Sequence, residues 1–291
     1  MKRILFAFSL MFLCWSSTGQ YLIPPGAQAQ LINTSEKLQS ARMFTTEQCN
    51  VLLFMDNVIC RLDGNVDESI NPMRINDTKP IKNIITVRGK YIVHQGDKLI
   101  AITSKDNRIS SPQNIEILLK NKQKELLVFP SLSDDQFFVV FHEWKHKQKR
   151  SIVQCYDIKR KTVKTMFEID GWINCMSGDT SVICFGIDKS LLLMKNRTIF
   201  LFSSEDSDIT SVCLSPFGLF YSTYQSVRYM IDSEHKTTII EKGASQLIDC
   251  CNTLYMILTD GSLIRIHNTL AFAEFYDLLK QSNNENTNTD H

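Results

Sequence analysis

The chain has 291 residues, of which 43% are hydrophobic, and its 32 basic and 31 acidic side chains leave a formal net charge of +1. A near-neutral chain argues against a nucleic-acid partner, and 11 glycines with 7 prolines exclude collagen-like and low-complexity chains. The length suits one large all-β domain or two ordinary domains, each with a buried core.

The first 19 residues have the pattern of a secretory signal peptide. Two basic residues precede an apolar run from Ile4 to Trp15, and small and polar residues follow up to Gln20. The run is too short to cross a bilayer, which takes about 20 apolar residues. We therefore predict export to the periplasm or the extracellular space, with a mature chain that begins at Gln20 and has no membrane anchor. Lipid attachment at Cys14 stays open.

From Arg42 onwards the sequence reads as short strands separated by tight turns. Val51–Met55 and Val58–Leu62 flank Asp56 and Asn57, a pair that tolerates left-handed dihedrals and indicates a β-hairpin. Groups of about four strands recur with a spacing of about 36–46 residues. Their first strands begin near Arg42, Ile84, Leu126, Trp172, Ile209 and Leu247.

Two of these groups are alike. The segments from Ile209 to Asp232 and from Leu247 to His267 share an apolar first strand, a turn, an aromatic-rich strand, a second turn and an alternating strand. Such repetition is typical of stacked units that cannot bury their faces alone. Six units of four strands predict an all-β fold, a six-bladed β-propeller. A β-sandwich is the competing fold, but six similar units exceed one sandwich.

The last unit offers only three clear strands, and they end at His267. We predict that the run from Ala27 to Ile32 supplies the fourth, so that the propeller spans residues 20–268 and its two ends meet in one blade. Residues 269–291 are expected to form a short helix and a disordered tail that begins at Gln281. The apolar face of that helix would hold Leu270, Phe272, Phe275, Tyr276 and Leu279.

Motifs in three units resemble those of WD40-type blades. Ser215-Pro-Phe-Gly218 resembles the turn between the first two strands of such a blade, and Tyr229-Met-Ile-Asp232 resembles the end of its third strand. Asp260-Gly-Ser-Leu-Ile-Arg-Ile266 and Cys155-Tyr-Asp157 resemble the entry and the end of third strands. The family's Gly-His pair and Trp-Asp dipeptide are missing, so the match is to propellers in general. The resemblance implies a binding scaffold and carries over no family-defined site.

Eight cysteines follow Cys14, an even number that permits a disulfide framework. The chain is nevertheless larger than the small secreted domains that depend on disulfides. Five of the cysteines lie in apolar, strand-like runs, where cysteine behaves as a small hydrophobe: Cys60, Cys155, Cys184, Cys213 and Cys251. We predict buried and reduced thiols, with one or two disulfides as the alternative.

One motif could carry chemistry, namely His142-Glu-Trp-Lys-His146. On a helix its two imidazoles would lie on one face and bind zinc, while Glu143 activates a water molecule and Glu168 supplies a distant third ligand. A secreted zinc metallopeptidase is therefore the alternative function. The β-branched and aromatic run from Phe137 to Phe141 favours instead a strand end followed by a hairpin loop.

That hairpin is also the most distinctive basic segment in the sequence. Its candidate binding residues are Trp144, Lys145, Lys147, Lys149 and Arg150. Further cations at Lys159, Arg160, Lys161 and Lys164 are expected to extend the same patch. A patch of this kind could contact an anionic partner, although a solvated loop that protects a strand edge is the alternative. We predict a non-catalytic protein- or glycan-binding module without a cofactor, a metal or catalytic residues.

Overall fold

The computed structural model describes residues 14–16, 19–21, 23–46, 48, 50–70, 79–104, 108–110, 112–120, 125–233, 235–275 and 277. The described chain begins with a hairpin of β1 (Cys14–Ser16) and β2 (Gly19–Tyr21), followed by β3 (Gln28–Thr34). A short 3-10 helix over Glu36–Ser40, which the strand-like sequence pattern did not predict, leads from β3 to the first blade.

Blades 1 to 5 are each built from four consecutive antiparallel strands. Blade 1 contains β4 (Arg42–Thr45), β5 (Val51–Met55), β6 (Val58–Arg61) and β7 (Val66–Ser69). Blade 2 contains β8 (Ile81–Val87), β9 (Lys90–Gln95), β10 (Lys98–Ser104) and β11 (Pro112–Lys120). Blade 3 contains β12 (Glu125–Pro130), β13 (Gln136–Lys145), β14 (Gln148–Asp157) and β15 (Thr162–Asp170). Blade 4 contains β16 (Ile173–Gly178), β17 (Val182–Ile187), β18 (Ser190–Lys195) and β19 (Thr198–Ser204). Blade 5 contains β20 (Ile209–Ser215), β21 (Gly218–Thr223), β22 (Val227–Met230) and β23 (Lys236–Ile240).

Blade 6 joins the two ends of the chain. Its inner three strands are β24 (Ala244–Cys250), β25 (Thr253–Leu258) and β26 (Ser262–His267), and β3 pairs antiparallel with β26 from Thr34 opposite Ser262 to Gln28 opposite His267. The side chain of Arg265 adds hydrogen bonds of 2.9 and 2.6 Å to Gln30 Oε1. The predicted closing strand is therefore confirmed.

The first strands of the blades surround the axis of the ring. They contact one another in the order β4, β8, β12, β16, β20 and β24, and β24 contacts β4. The apolar core lies between blades, as where Phe138 and Val140 of blade 3 pack with Ile173 and Phe185 of blade 4. The protein is thus a six-bladed β-propeller, as the sequence predicts.

Several hairpins turn through two consecutive residues with positive φ, the geometry that matches the right-handed twist of paired strands. Asp56 and Asn57, the pair that indicated the first hairpin, have φ angles of 50° and 63°. His146 and Lys147 do the same at the tip of the β13–β14 hairpin, with φ angles of 51° and 67°. Short polar or flexible side chains at these positions set the strand registers.

The C-terminal segment packs against blade 5. Residues 270–275 are helical, and the buried ring of Phe272 lies 5.4 Å from that of Phe220 and 5.1 Å from that of Tyr229. Phe275 packs beside the same cluster, as its predicted position on the apolar face requires. The side chains of Tyr276 and Leu279, and the tail from Gln281, lie outside the described residues.

The N-terminal hairpin lies at the outer edge of blade 5. It joins the blade through one pair, Tyr21 opposite Ile240, so cleavage before Gln20 would remove β1 and leave Tyr21 in place. In the part of the chain that the structure describes, none of the helices is long and apolar enough to cross a membrane.

Of the seven cysteines whose side chains the structure describes, five are buried: Cys60, Cys155, Cys175, Cys184 and Cys213. Burial raises the pKa of Cys155 to about 11, and that of Cys175 and of Cys213 to about 12. Cys251, predicted as one of the strand cysteines, is exposed because it lies in the β24–β25 turn with a φ of 51°.

We expect a thiol-directed reagent to label Cys251 in the native protein at mildly alkaline pH before it labels any of the five buried cysteines. Cys175, Cys184 and Cys213 should react only after denaturation, without added reductant, because the thiolate is the reactive form and burial disfavours it. Peptide mapping by mass spectrometry measures the labelling of each cysteine in the native and in the denatured protein. Native labelling of Cys175 or Cys213, or a disulfide at either, would contradict the expectation.

Candidate functional site

The hairpin of β13 and β14 projects from one face of the ring. Each of its strands has ten residues, against four to seven in the two middle strands of every other blade. Glu125, the first residue of inner strand β12, pairs with His142, so the last three residues of β13 extend beyond it. At about 3.3 Å per residue, the tip of the hairpin extends roughly 10 Å beyond the end of β12, the inner strand of the same blade.

Two tryptophans and a lysine meet at the base of this tip. Trp172, in the link between β15 and β16, contacts the ring of Trp144 edge-on at a centroid distance of 5.4 Å. Lys149, the cross-strand partner of Trp144, places its Nζ 4.8 Å from the centroid of Trp172. Trp144 itself remains 63% exposed. We call Trp144, Trp172 and Lys149 the tryptophan shelf.

The five predicted binding residues do not form one surface. Side chains alternate along a strand, so Trp144 and Lys149 lie on the face towards Trp172, whereas Lys145 and Arg150 lie on the opposite face. There Arg150 forms an ion pair with Glu168. Lys145, Arg150 and Glu168 line a concavity of about 530 Å³ that also contains Asp170. The charge of Arg150 is therefore neutralised by the carboxylate of Glu168. Lys147 lies in the turn between β13 and β14 and belongs to neither face.

The expected extension of the basic patch is wrong. Residues 158–161 form the turn between β14 and β15, at the opposite end of the blade from the hairpin tip. The ten residues of β14 separate the two ends by roughly 30 Å. Lys161 lies 3.4 Å from Glu116 of blade 2, and Arg160 pairs with Asp157. Lys159, Arg160, Lys161 and Lys164 thus belong to another surface.

The zinc-binding geometry required by the His142–His146 motif is not formed. His142 lies in β13, and His146 lies in the turn that follows. Residues four apart on a strand are roughly 13 Å apart, not neighbours as on a helix. His142 is buried, its Nε2 lies 3.0 Å from the carbonyl oxygen of Ile173, and its ring stacks on Trp172. Burial lowers the pKa of His142, although the Ile173 carbonyl and Glu125 oppose this effect. The motif therefore forms the end of a strand and a hairpin turn, as the β-branched and aromatic run from Phe137 to Phe141 predicts.

A second candidate site is the central channel, a cavity of about 520 Å³ between the inner strands. Each inner strand contributes one polar residue at its first or second position: Arg42, Lys82, Glu125, Asn174, Thr210 and Ser245. Burial, and then the charge of Lys82, lowers the pKa of the neighbouring His94 to about 4. Sequence reasoning missed this set because its consecutive members are 35–49 residues apart in the sequence and meet only when the ring closes.

The wall of the channel is largely occupied by contacts between blades. Gln246 accepts from the backbone N–H of Met43 at 2.8 Å and donates to its carbonyl at 3.0 Å. Ser211 Oγ accepts from Leu247 N–H at 3.0 Å. Burial raises the pKa of the channel-lining Asp249, although the nearby hydroxyl groups of Ser215 and Thr269 oppose this effect. These polar groups hold neighbouring blades together, which leaves the rim as the chemically available part of the channel.

The geometry thus defines a β-propeller with one projecting aromatic hairpin. No protein family and no curated protein matches the sequence. Among solved structures, the chain is similar to the extracellular domain of BT4673 from B. thetaiotaomicron, with a TM-score of 0.53 and 10% identity over 82% of this chain and 39% of that one. It is also similar to the WD40 β-propeller domain of Doa1, with a TM-score of 0.51 and 12% identity over 77% of each chain. The chain spans less than half of the BT4673 domain. These likenesses show the fold, and one of the two neighbours is an extracellular domain.

Proposed function

We propose that the protein is an exported, non-catalytic binding module that contacts an anionic protein or glycan through the tip of the β13–β14 hairpin. The observation that carries the proposal is Trp144, which stays 63% exposed while its ring is held against Trp172. Export is supported by the signal-peptide pattern of the first 19 residues and by the likeness to an extracellular domain.

The charge at the tip supports an anionic partner. Lys145, Lys147 and Lys149 are exposed, and none of them forms an ion pair with a carboxylate among the residues that the structure describes. Arg150, in contrast, is already neutralised by Glu168. The protein as a whole is nearly neutral, so this local concentration of unpaired cations is the feature that an anion would meet.

The aromatic contact supports a binding role because it reduces the entropy that a partner must overcome. An exposed side chain that is already held in place loses little freedom on binding. Trp144 has this property, since the Trp172 ring fixes one edge of its indole. Tryptophan is also enriched among the few residues that contribute most of the binding energy in protein interfaces. Lys149, over the ring of Trp172, keeps a cation beside the same surface.

We expect retention on immobilised sulfated glycan or immobilised polyglutamate, and a loss of that retention in two variants. One is Trp144→Ala, and the other combines Lys145→Glu, Lys147→Glu and Lys149→Glu. Each should weaken binding by about tenfold or more, since tenfold equals about 1.4 kcal/mol and truncation of a central tryptophan often costs that much. Binding should weaken with added salt, which screens exposed charges.

A matched control lies at the other end of the same blade. The combination Lys159→Glu, Arg160→Glu and Lys161→Glu changes the net charge by the same amount, at a site roughly 30 Å away. This variant should keep its retention. Equal loss in both charge-reversed variants would show attraction by net charge alone and would overturn the hairpin site. Retention on the sulfated glycan alone indicates a glycan partner, and retention on polyglutamate alone indicates an acidic protein.

A further inference from the structure

The outer edge of blade 4 differs from the other outer edges. Its fourth strand, β19, runs from Thr198 to Ser204 without a charged residue, and two adjacent apolar side chains on it are exposed. Phe200 is 41% and Leu201 58% exposed. Outer strands normally carry charges that prevent pairing with other chains. The edge of blade 4 lacks that protection.

Other outer strands show the protection that β19 lacks. β11 contains Glu116 and Lys120, and β15 contains Lys164 and Glu168. The edge of blade 5 is covered by β2. β3 is uncharged like β19, but only one of its apolar residues, Leu31, is strongly exposed: its neighbour Gln30 contacts Arg265, and its neighbour Ile32 packs against the core. Two adjacent exposed hydrophobic side chains therefore single out β19.

We infer that β19 pairs antiparallel with β19 of a second copy of this chain, about a twofold axis at Leu201. In a symmetric pair of identical strands, a charge near the axis faces a like charge, which destabilises the pair. The uncharged run of β19 avoids this cost when the axis lies at Leu201. The pairing would satisfy free backbone groups along the edge and bury Phe200 and Leu201 between the two copies.

The charges that flank β19 complement each other in this arrangement. The exposed cations Lys195 and Arg197 precede the strand, and the exposed carboxylate Asp206 follows it. Antiparallel pairing brings the basic end of each strand to the acidic end of its copy, so both ends of the interface gain an attractive pair. A parallel pairing would instead place like charges together. The flanks thus favour the antiparallel twofold dimer.

The backbone of β19 limits the strength of the contact. The register between β18 and β19 shifts between Leu191 and Leu192, and similar shifts occur where the fourth strand pairs in each of the six blades. Such irregularities bend and twist an edge. The pairing is therefore short, and an interface below about 1,200 Å² is typical of transient association. We expect a reversible, concentration-dependent dimer.

Sedimentation velocity of the full chain over a range of concentrations tests the inference. The weight-average mass should rise towards twice that of the monomer as concentration increases. Leu201→Lys should abolish the rise, because it places two lysines across the axis. Ile117→Lys, on β11, is the matched control: it adds the same charge at a residue that is 49% exposed on another outer strand, and it should leave the dimer intact.

A mixing experiment then locates the axis. Leu201→Lys and Leu201→Glu should each be monomeric alone and should associate when mixed at low salt, since the axis then carries an opposite-charge pair. A full chain that stays monomeric at every concentration overturns the inference. A dimer that survives Leu201→Lys also overturns it, because the contact then lies on another surface.

Discussion

A chain that begins at Glu36 will unfold at a far lower temperature than one that begins at Ile23. The shorter chain lacks β3, which contributes six paired positions to blade 6, and it lacks Ser35, whose N–H donates a hydrogen bond to the carbonyl of Gly261. At about 0.5–1.5 kcal/mol for each hydrogen bond, roughly six bonds represent about 3–9 kcal/mol. Typical total stabilities are only about 5–15 kcal/mol. Loss of β3 therefore removes a large share of the free energy of unfolding.

The chain that begins at Ile23 is the matched control for this experiment. It lacks β1 and β2, whose only pairing with a blade is Tyr21 opposite Ile240 in the described residues, so it should melt close to the full mature chain. Removal of residues 281–291 should also leave the melting temperature unchanged. Differential scanning calorimetry measures the melting temperatures of these three truncated chains and of the full mature chain. Equal melting of the Glu36 and Ile23 chains would show that closure of the ring does not depend on β3.

The fold could be read from the sequence because its signals are local and repeated. Asp56 and Asn57 between two apolar runs define a hairpin, and the same kind of signal recurs from unit to unit. Counting units then gives the number of blades. Even the closing strand follows from local evidence, since the last unit ends one strand short at His267 and an unassigned strand-like run precedes Arg42.

Only part of the candidate site could be predicted from the sequence, because sequence separation is a poor guide to spatial distance in a β-meander. Lys149 and Lys161 are 12 residues apart in the sequence but lie at opposite ends of β14. Trp172 was not predicted to be a binding residue, although it lies beside Trp144. A signal for it exists: a tryptophan directly after a glycine, in the link that leads into the next inner strand, lies on the same face of the ring as the hairpin tip.

A buried ionic cluster between blades 4 and 5 was missed for the same reason. Glu205, whose side chain is 2% exposed, accepts hydrogen bonds from Ser203 Oγ at 2.6 Å and from Tyr221 Oη at 2.8 Å. It also forms ion pairs with Arg228 and, at 3.1 Å, with Lys236. These partners extend over more than 30 residues and two blades, and Glu205 itself lies in an ordinary-looking loop sequence.

Substitution of Glu205 by glutamine will strongly destabilise the protein. The amide keeps the size of the side chain but removes its charge, which leaves Arg228 and Lys236 without their carboxylate. Removing one partner of a buried ion pair costs about 3–5 kcal/mol. Arg228 and Lys236 are 23% and 40% exposed, so water partly compensates and we expect about 2–4 kcal/mol. Urea unfolding at neutral pH measures the difference.

The same cluster predicts how the difference depends on pH. Burial alone would raise the pKa of Glu205, but hydrogen bonds from Ser203, Tyr221 and Lys236 and the charge of Arg228 outweigh it and hold the pKa below its usual value of 4.5. The stabilisation is therefore complete above pH 4.5 and is lost as the pH falls through the lowered value. The gap between the native protein and Glu205→Gln should narrow in acid. Glu116→Gln, which removes one member of the exposed Glu116–Lys161 pair, is the control and should cost less than about 1 kcal/mol at any pH. A gap for Glu205→Gln that stays constant from neutral pH into acid would show that the carboxylate charge does not stabilise this interface.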